Sequence, residues 1–197
     1  MASSLGDRLR FLGRFLIKPV TQASAVPSSP HLVAALLEHM ELEQASVVIE
    51  LGPGTGVATK EILPLLAEDA SFLVIEKDRG WVKLLTKRYP GLDLVCGDAA
   101  DLGRLVDERG FESVDAVVSG LPFAFFGEEL QVAIIDAVAA VLRPGGKFST
   151  FTYIHSRDLP RAKRFKTLLE SRFSRVETSA PIWRNTPPAV VYTVTKD

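Results

Sequence analysis

Cysteine is nearly absent from this sequence: 197 residues carry only Cys96, so no disulfide can close within the chain, and a reducing compartment fits. Long apolar runs are missing too. No uncharged stretch approaches the roughly 18 residues that a membrane span requires. The best candidate, Ala116 to Gly127, is short and interrupted by glycine and proline. The first 18 residues lack the continuous apolar core of a signal peptide. There is no internal repeat and no low-complexity segment. A composition of 47% hydrophobic and 24% charged residues excludes a disordered or collagen-like chain, and the length predicts one globular domain. A cytoplasmic enzyme is the expectation.

Net charge is −1, but its distribution is uneven. Residues 1–18 sum to +3, residues 19–156 to −9 and residues 157–197 to +5. Basic ends around an acidic centre point to an anionic partner met by the ends, either a membrane or a nucleic acid.

The middle of the chain alternates between two periods. Val47 to Leu51 is β-branched and apolar, as a strand covered on both faces should be. A glycine-rich turn and a helix from Val57 to about Leu66 follow. Further strands are expected at Phe72–Glu76, Leu92–Cys96, Asp115–Ser119 and Lys147–Tyr153. Helices are expected through Trp81, Leu84 and Leu85, and from Leu130 to Leu142, where Arg143-Pro144-Gly145-Gly146 is a stop signal. A basic helix near Leu159–Ser171 leads to two strands, Arg175–Trp183 and Ala189–Thr195, close enough to form an antiparallel hairpin. The pattern predicts an α/β fold: a Rossmann-like, seven-stranded, mostly parallel sheet with helices on both faces.

Glu50-Leu51-Gly52-Pro53-Gly54-Thr55-Gly56 sits where the first strand turns into a helix. Glycines there let backbone approach a ligand and permit positive φ. The third glycine of a dinucleotide fingerprint would fall at Val57, and a P-loop lysine is missing, so a phosphate cradle is not indicated. Acids stand at the next two strand ends, Glu76 and Asp98. Strand ends form the ligand crevice of an open α/β sheet. There Glu76 can accept two ribose hydroxyls and Asp98 an adenine amine; the lesser alternative for each is a solvated strand-end carboxylate. With Pro144-Gly145-Gly146, this ordered set resembles the class I S-adenosylmethionine-dependent methyltransferases over residues 45–195. The resemblance implies S-adenosylmethionine as cofactor, S-adenosylhomocysteine as product and no metal. It places cofactor contacts at Glu50, Gly52, Gly54, Thr55, Gly56, Glu76, Lys77, Asp98, Ala99 and Ser119.

The fourth strand ends in Ser119-Gly120-Leu121-Pro122-Phe123. This resembles the Asn-Leu-Pro-Tyr motif of adenine N-methyltransferases, including the ribosomal RNA adenine dimethyltransferases, but Gly120 stands where their asparagine would be. The amide that accepts from an adenine amine is therefore absent. Backbone carbonyls at Gly120 and Leu121 remain to orient a small amine. Phe123, Phe125 and Phe126 are either core or an apolar, cation-binding wall.

Leu5, Leu9, Leu12 and Leu16 fall on one helical stripe, with Asp7, Arg10, Arg14 and Lys18 opposite, until Pro19 ends the pattern. Such a helix fits an anionic membrane surface, and equally the protein's own core. Several segments are similar to those of the small bacterial phospholipid N-methyltransferases. They are Phe11-Leu12 with Phe15 and Pro19, Ala25-Val26-Pro27-Ser28-Ser29-Pro30, the glycine turn, Ser119-Gly120-Leu121-Pro122, and Arg184-Asn185 with Pro187-Pro188-Ala189 and Val191-Tyr192. The resemblance implies stepwise methylation of phosphatidylethanolamine toward phosphatidylcholine by an enzyme held peripherally on the inner face of the cell membrane. Residues 1–30 would dock on the anionic bilayer and cover the active site, and residues 31–197 would form the methyltransferase domain. Gly120, Leu121 and Tyr153 form the expected catalytic set, and Ser28, Ser29, Pro122, Phe123 and Arg184 the expected substrate contacts. His155 and His31 are alternative proton relays to Tyr153. No nucleic acid is expected, because the centre of the chain is acidic. The competing readings are an N-methyltransferase of RNA adenine or of another amine, and a non-catalytic cofactor-binding membrane adaptor.

Overall fold

The structure is a computed structural model in which residues 28–197 are described. The amphipathic stripe from Leu5 to Lys18, with the rest of residues 1–27, lies outside the described residues.

Seven strands form one sheet: β1 (Val47–Leu51), β2 (Ser71–Glu76), β3 (Asp93–Cys96), β4 (Val114–Ser119), β5 (Leu142–Tyr153), β6 (Arg175–Thr178) and β7 (Ala189–Thr195). Their order is β3-β2-β1-β4-β5-β7-β6. The first five are parallel, and β7 runs antiparallel between β5 and β6. Helices α1 (Pro30–Leu37), α2 (Val57–Ile62), α3 (Arg79–Arg88), α4 (Leu102–Asp107), α5 (Glu128–Val141) and α6 (Pro160–Arg172) flank it.

Alternation along the strands divides the core into two layers. Ile49, Leu51, Leu73 and Ile75 face one way, onto Leu102, Leu105, Ile134, Phe165 and Leu169 of α4, α5 and α6. Val48 and Val74 face the other way, among Leu32 and Leu36 of α1 and Ile62 of α2. Burial on both faces explains why β1 reads as a continuous apolar run.

Differences from expectation trace to local chemistry. The helix after the glycine turn stops at Ile62, because Pro64 converts its last turn to a 3₁₀ segment. The strand expected to run to Trp183 ends at Thr178, with one isolated bridge from Ile182 to Ala189 after Pro181. Strand β5 starts earlier than expected, at Leu142. Its pairing with β4 jumps from Val114↔Leu142 to Ala116↔Lys147, so Arg143–Gly146 bulges out of register. Helices α1 and α4 are short and show little periodicity in the sequence. Ser29 opens α1 by accepting the Leu32 amide at 3.2 Å, and Pro30 supplies its first turn.

Candidate active site

Strand order reverses between β1 and β4, where Leu51 pairs with Ser119. A ligand crevice is expected outside such a switch point, at the carboxyl ends of the strands. A pocket opens there, lined by Ser28, Glu50, Gly52, Gly54, Trp81, Gly120 and Tyr153 among others.

Its floor is the turn after β1. Gly52, Gly54 and Gly56 all have positive φ, at 67°, 54° and 76°. Two of them are also held by contact: a Cβ on Gly52 would lie 2.6 Å from Leu121 Cδ2, and one on Gly56 would lie 2.5 Å from Leu85 Cδ2. Beside Gly54 the equivalent position is open, which leaves its backbone accessible to a ligand. The Thr55 carbonyl accepts from Arg88 Nη1 at 2.6 Å, tying the turn to α3.

Three acids stand toward the ends of β1, β2 and β3 in different states; Glu50 lines the pocket, whereas Glu76 and Asp98 lie outside its lining. Glu50 is 1% exposed and accepts the Thr59 hydroxyl at 2.6 Å. Burial pushes its carboxyl up to about 7, against the pull of the Thr59 hydrogen bond. Glu76 accepts the Asp78 amide on Oε1 at 2.8 Å and the Gly54 amide on Oε2 at 3.1 Å. Each oxygen keeps a lone pair, so the carboxylate is aimed yet still able to accept a diol. Burial raises the Glu76 carboxyl as well, more than these amides lower it. Asp98 caps the turn beyond β3 by accepting the Ala100 amide at 3.1 Å, and it pairs with Lys77 Nζ at 2.6 Å. Burial works against its charge, but the Lys77 and Ala100 contacts prevail and hold it below the usual range.

Ser119 is buried, and its hydroxyl oxygen accepts the Leu121 amide at 3.2 Å, shaping the turn after β4. Of the two carbonyls expected to orient an amine, that of Leu121 is engaged by the Phe123 amide at 3.0 Å, whereas Gly120 lines the pocket. Pro122 lies half-buried in that turn, away from the pocket lining. Tyr153 lines the pocket and stacks on His155, with centroids 5.6 Å apart. Burial raises its phenol, so near neutral pH it is a hydrogen-bond partner rather than a base. His155 and His31 are both exposed.

Phe123 requires correction. It is 1% exposed, stacks on Phe165 with centroids 4.3 Å apart and meets Phe126 and Phe148 edge-on. It belongs to the core beneath the turn and presents no wall to a substrate. Ser28 lines the pocket, whereas the Ser29 hydroxyl is occupied as the cap of α1. Arg184 is exposed on the connection from β6 to β7, outside the pocket lining.

Three site residues escaped sequence reasoning. Trp81 lines the pocket from the first turn of α3, where Asp78 accepts its amide at 3.1 Å. An aromatic three places after a capping acid was the available signal. Gln131, buried in α5, donates to the carbonyls of Phe123 at 2.7 Å and Arg161 at 3.1 Å, clamping the turn after β4 to α6. Asn185, 3% exposed, accepts the Ser29 amide at 2.9 Å and donates to the Pro187 carbonyl at 2.7 Å. Neither of the last two contacts has a local sequence pattern.

The methyltransferase domain family matches residues 48–146, the span from β1 to the bulge in β5. The ornithine lipid N-methyltransferase of Singulisphaera acidiphila is 40% identical over 149 residues, covering 74% of this chain and 78% of that protein. The chain belongs to the class I S-adenosylmethionine-dependent methyltransferases. A probable ribosomal RNA small subunit methyltransferase A of Thermococcus kodakarensis is 24% identical over 174 residues, which is 81% of this chain and 60% of that protein. In fold, the chain resembles the O-methyltransferase from Bacillus cereus, solved in complex with S-adenosylhomocysteine. The TM-score is 0.66, with 14% identity and coverage of 100% and 93% of the two chains. S-adenosylmethionine is the methyl donor of this family. The site fits it: an open backbone position at Gly54, an aimed carboxylate at Glu76 and a buried acid at Glu50 suit a cationic nucleoside with a free diol.

Proposed function

We propose that this methyltransferase acts on the primary amine of a membrane lipid, methylating phosphatidylethanolamine and its partly methylated products at an anionic membrane surface. One observation carries the lipid reading: the 40% identity to a protein named as an ornithine lipid N-methyltransferase, over most of both chains. What supports an ethanolamine headgroup is the resemblance of residues 25–30, 119–122 and 184–192 to segments of the bacterial phospholipid N-methyltransferases. Ornithine also carries a primary amine, so an ornithine lipid is the second reading, favoured by that same relative.

In this reading the glycine turn and Glu76 hold the nucleoside, and Asp98 with Ala99 frames its base. The bound cofactor supplies a methyl group already activated on sulfonium. The protein's contribution is then mostly positioning, since a held near-attack geometry replaces a bimolecular encounter. Gly120 lines the pocket, and in this reading its carbonyl orients the lipid amine, which must shed a proton before it attacks. Arg184 meets the phosphodiester from outside the pocket. A buried adenine is disfavoured, because position 120 has no room for the side chain that would read it.

The test is transfer of labelled methyl to vesicles containing phosphatidylethanolamine or an ornithine lipid, each with and without phosphatidylglycerol. Label in mono-, di- and trimethylated phosphatidylethanolamine supports the first reading. Label confined to the ornithine lipid selects the second. Label in neither, with S-adenosylhomocysteine still bound, rejects both.

A further inference from the structure

Among the described residues, the two most exposed large apolar side chains are Trp183, at 70%, and Leu159, at 42%. They lie on neighbouring connections at the pocket end of the sheet. Strand β5 ends at Tyr153, paired with Ala189 where β7 begins, and the Ile154 amide donates to the Pro188 carbonyl at 2.9 Å. Thus the chain leaving β5 toward α6 and the chain entering β7 emerge side by side, next to a tyrosine that lines the pocket.

The charge on these connections has one prevailing sign. Arg157 and Arg184 are exposed and make no ion pair among the described residues, and Asp158 is the one acid within residues 154–159 and 179–188. By contrast, the basic face of α6 is largely neutralised: Arg164 pairs with Glu128, Lys166 with Glu170 and Arg172 with Asp136.

The tip is also braced. Ile182 donates to the Ala189 carbonyl at 2.8 Å, the Asn185 amide donates to the Ile182 carbonyl at 3.2 Å, and the Asn185 side chain holds the Ser29 amide. A large aromatic side chain is therefore displayed to solvent on a fixed turn, flanked by unpaired cations. Tryptophan has an apolar body and a polar N–H, which suits the boundary between headgroups and acyl chains. An adjacent arginine suits anionic headgroups. We propose that Trp183, with Leu159 on the neighbouring connection, inserts at the interface of an anionic phospholipid bilayer, with Arg157 and Arg184 on its headgroups, so that the pocket mouth is held against the lipid. This inference rests on the lipid reading above and adds an anchor separate from residues 1–27. Since Asn185 ties the tip to Ser29, next to pocket-lining Ser28, docking at Trp183 also orients the wall through which a lipid amine enters.

The chain has two tryptophans, so in full-length Trp81→Phe protein the emission reports Trp183 alone. Adding phosphatidylglycerol vesicles should shift that emission to the blue, and lipids brominated on the acyl chain should quench it. In the otherwise native chain, Trp183→Ala should weaken vesicle binding about tenfold, or about 1.4 kcal/mol, and slow methylation of vesicle lipid similarly. Turnover of monomeric dihexanoyl phosphatidylethanolamine should be unchanged. Emission that vesicles leave unaltered while the protein is bound overturns the anchor. So does emission already blue and shielded from iodide without lipid, which would mean that another part of the protein or a second copy covers Trp183. Native protein that neither binds nor methylates vesicle lipid refutes the lipid reading and the anchor with it. Native protein that does both, matched by Trp183→Ala, refutes the anchor alone.

Discussion

A Cβ on Gly120 would lie 2.6 Å from the carbonyl oxygen of Gly52. The two residues follow the paired ends of β4 and β1, and the Gly120 amide donates to the Leu51 carbonyl at 2.9 Å. The turns leaving the switch point therefore interlock backbone against backbone. The same contact excludes a side chain at position 120, where Gly120 lines the pocket.

Substituting Gly120 should therefore damage both stability and cofactor binding. Gly120→Ala should lose about 1–3 kcal/mol, the range for forcing extra volume into a packed site, and bind S-adenosylhomocysteine at least tenfold more weakly. Gly120→Asn should be no better and should gain no activity on adenine. Chemical denaturation and calorimetric titration measure the two effects; native values for both would show that the turns can separate.

Glu50 gives the ligand-free protein a predictable response to pH. Its carboxyl is raised from 4.5 to about 7, so across that window the folded state keeps a proton that the unfolded state has released. Stability should therefore fall as pH rises from 4.5 to about 7, and Glu76, also raised, acts in the same direction. Glu50→Gln should flatten this slope and be more stable than the native protein at pH 8, by on the order of 3 kcal/mol at most. Denaturation midpoints across pH test it, and an unaltered slope in the variant would remove Glu50 as the source.

Phe123→Ala should behave as a core truncation. Emptying the stack on Phe165 should cost about 3–5 kcal/mol, whereas the KM for lipid, measured where the variant is still folded, should stay near the native value. A stable variant with a large rise in KM would return Phe123 to the substrate wall.

Arg184→Ala should separate substrate from cofactor. Being exposed and outside the pocket lining, Arg184 contributes little to folding. The expected result is a several-fold rise in KM for lipid, with S-adenosylhomocysteine affinity and melting temperature unchanged. Unaltered lipid kinetics would exclude the phosphodiester contact.

The order of the strands, four of the flanking helices (α2, α3, α5 and α6), the glycine turn and the strand-end acids Glu76 and Asp98 were legible in the sequence by itself; the short helices α1 and α4 were not. Each legible feature is a local property: a run of β-branched residues buried on both faces, a turn that needs positive φ, and an acid at or just beyond the end of a strand. Gly120 was legible as a departure from a motif, but its reason was not. That reason is the Gly52 carbonyl, 68 positions away in the chain and adjacent only because β1 pairs with β4. Tertiary structure alone decided that Phe123 stacks in the core and that Asn185 joins the β6–β7 connection to the start of α1. Such contacts leave no periodic trace, because a side chain's partner across the fold is set by which strands pair and which helices cover them, not by its neighbours in sequence.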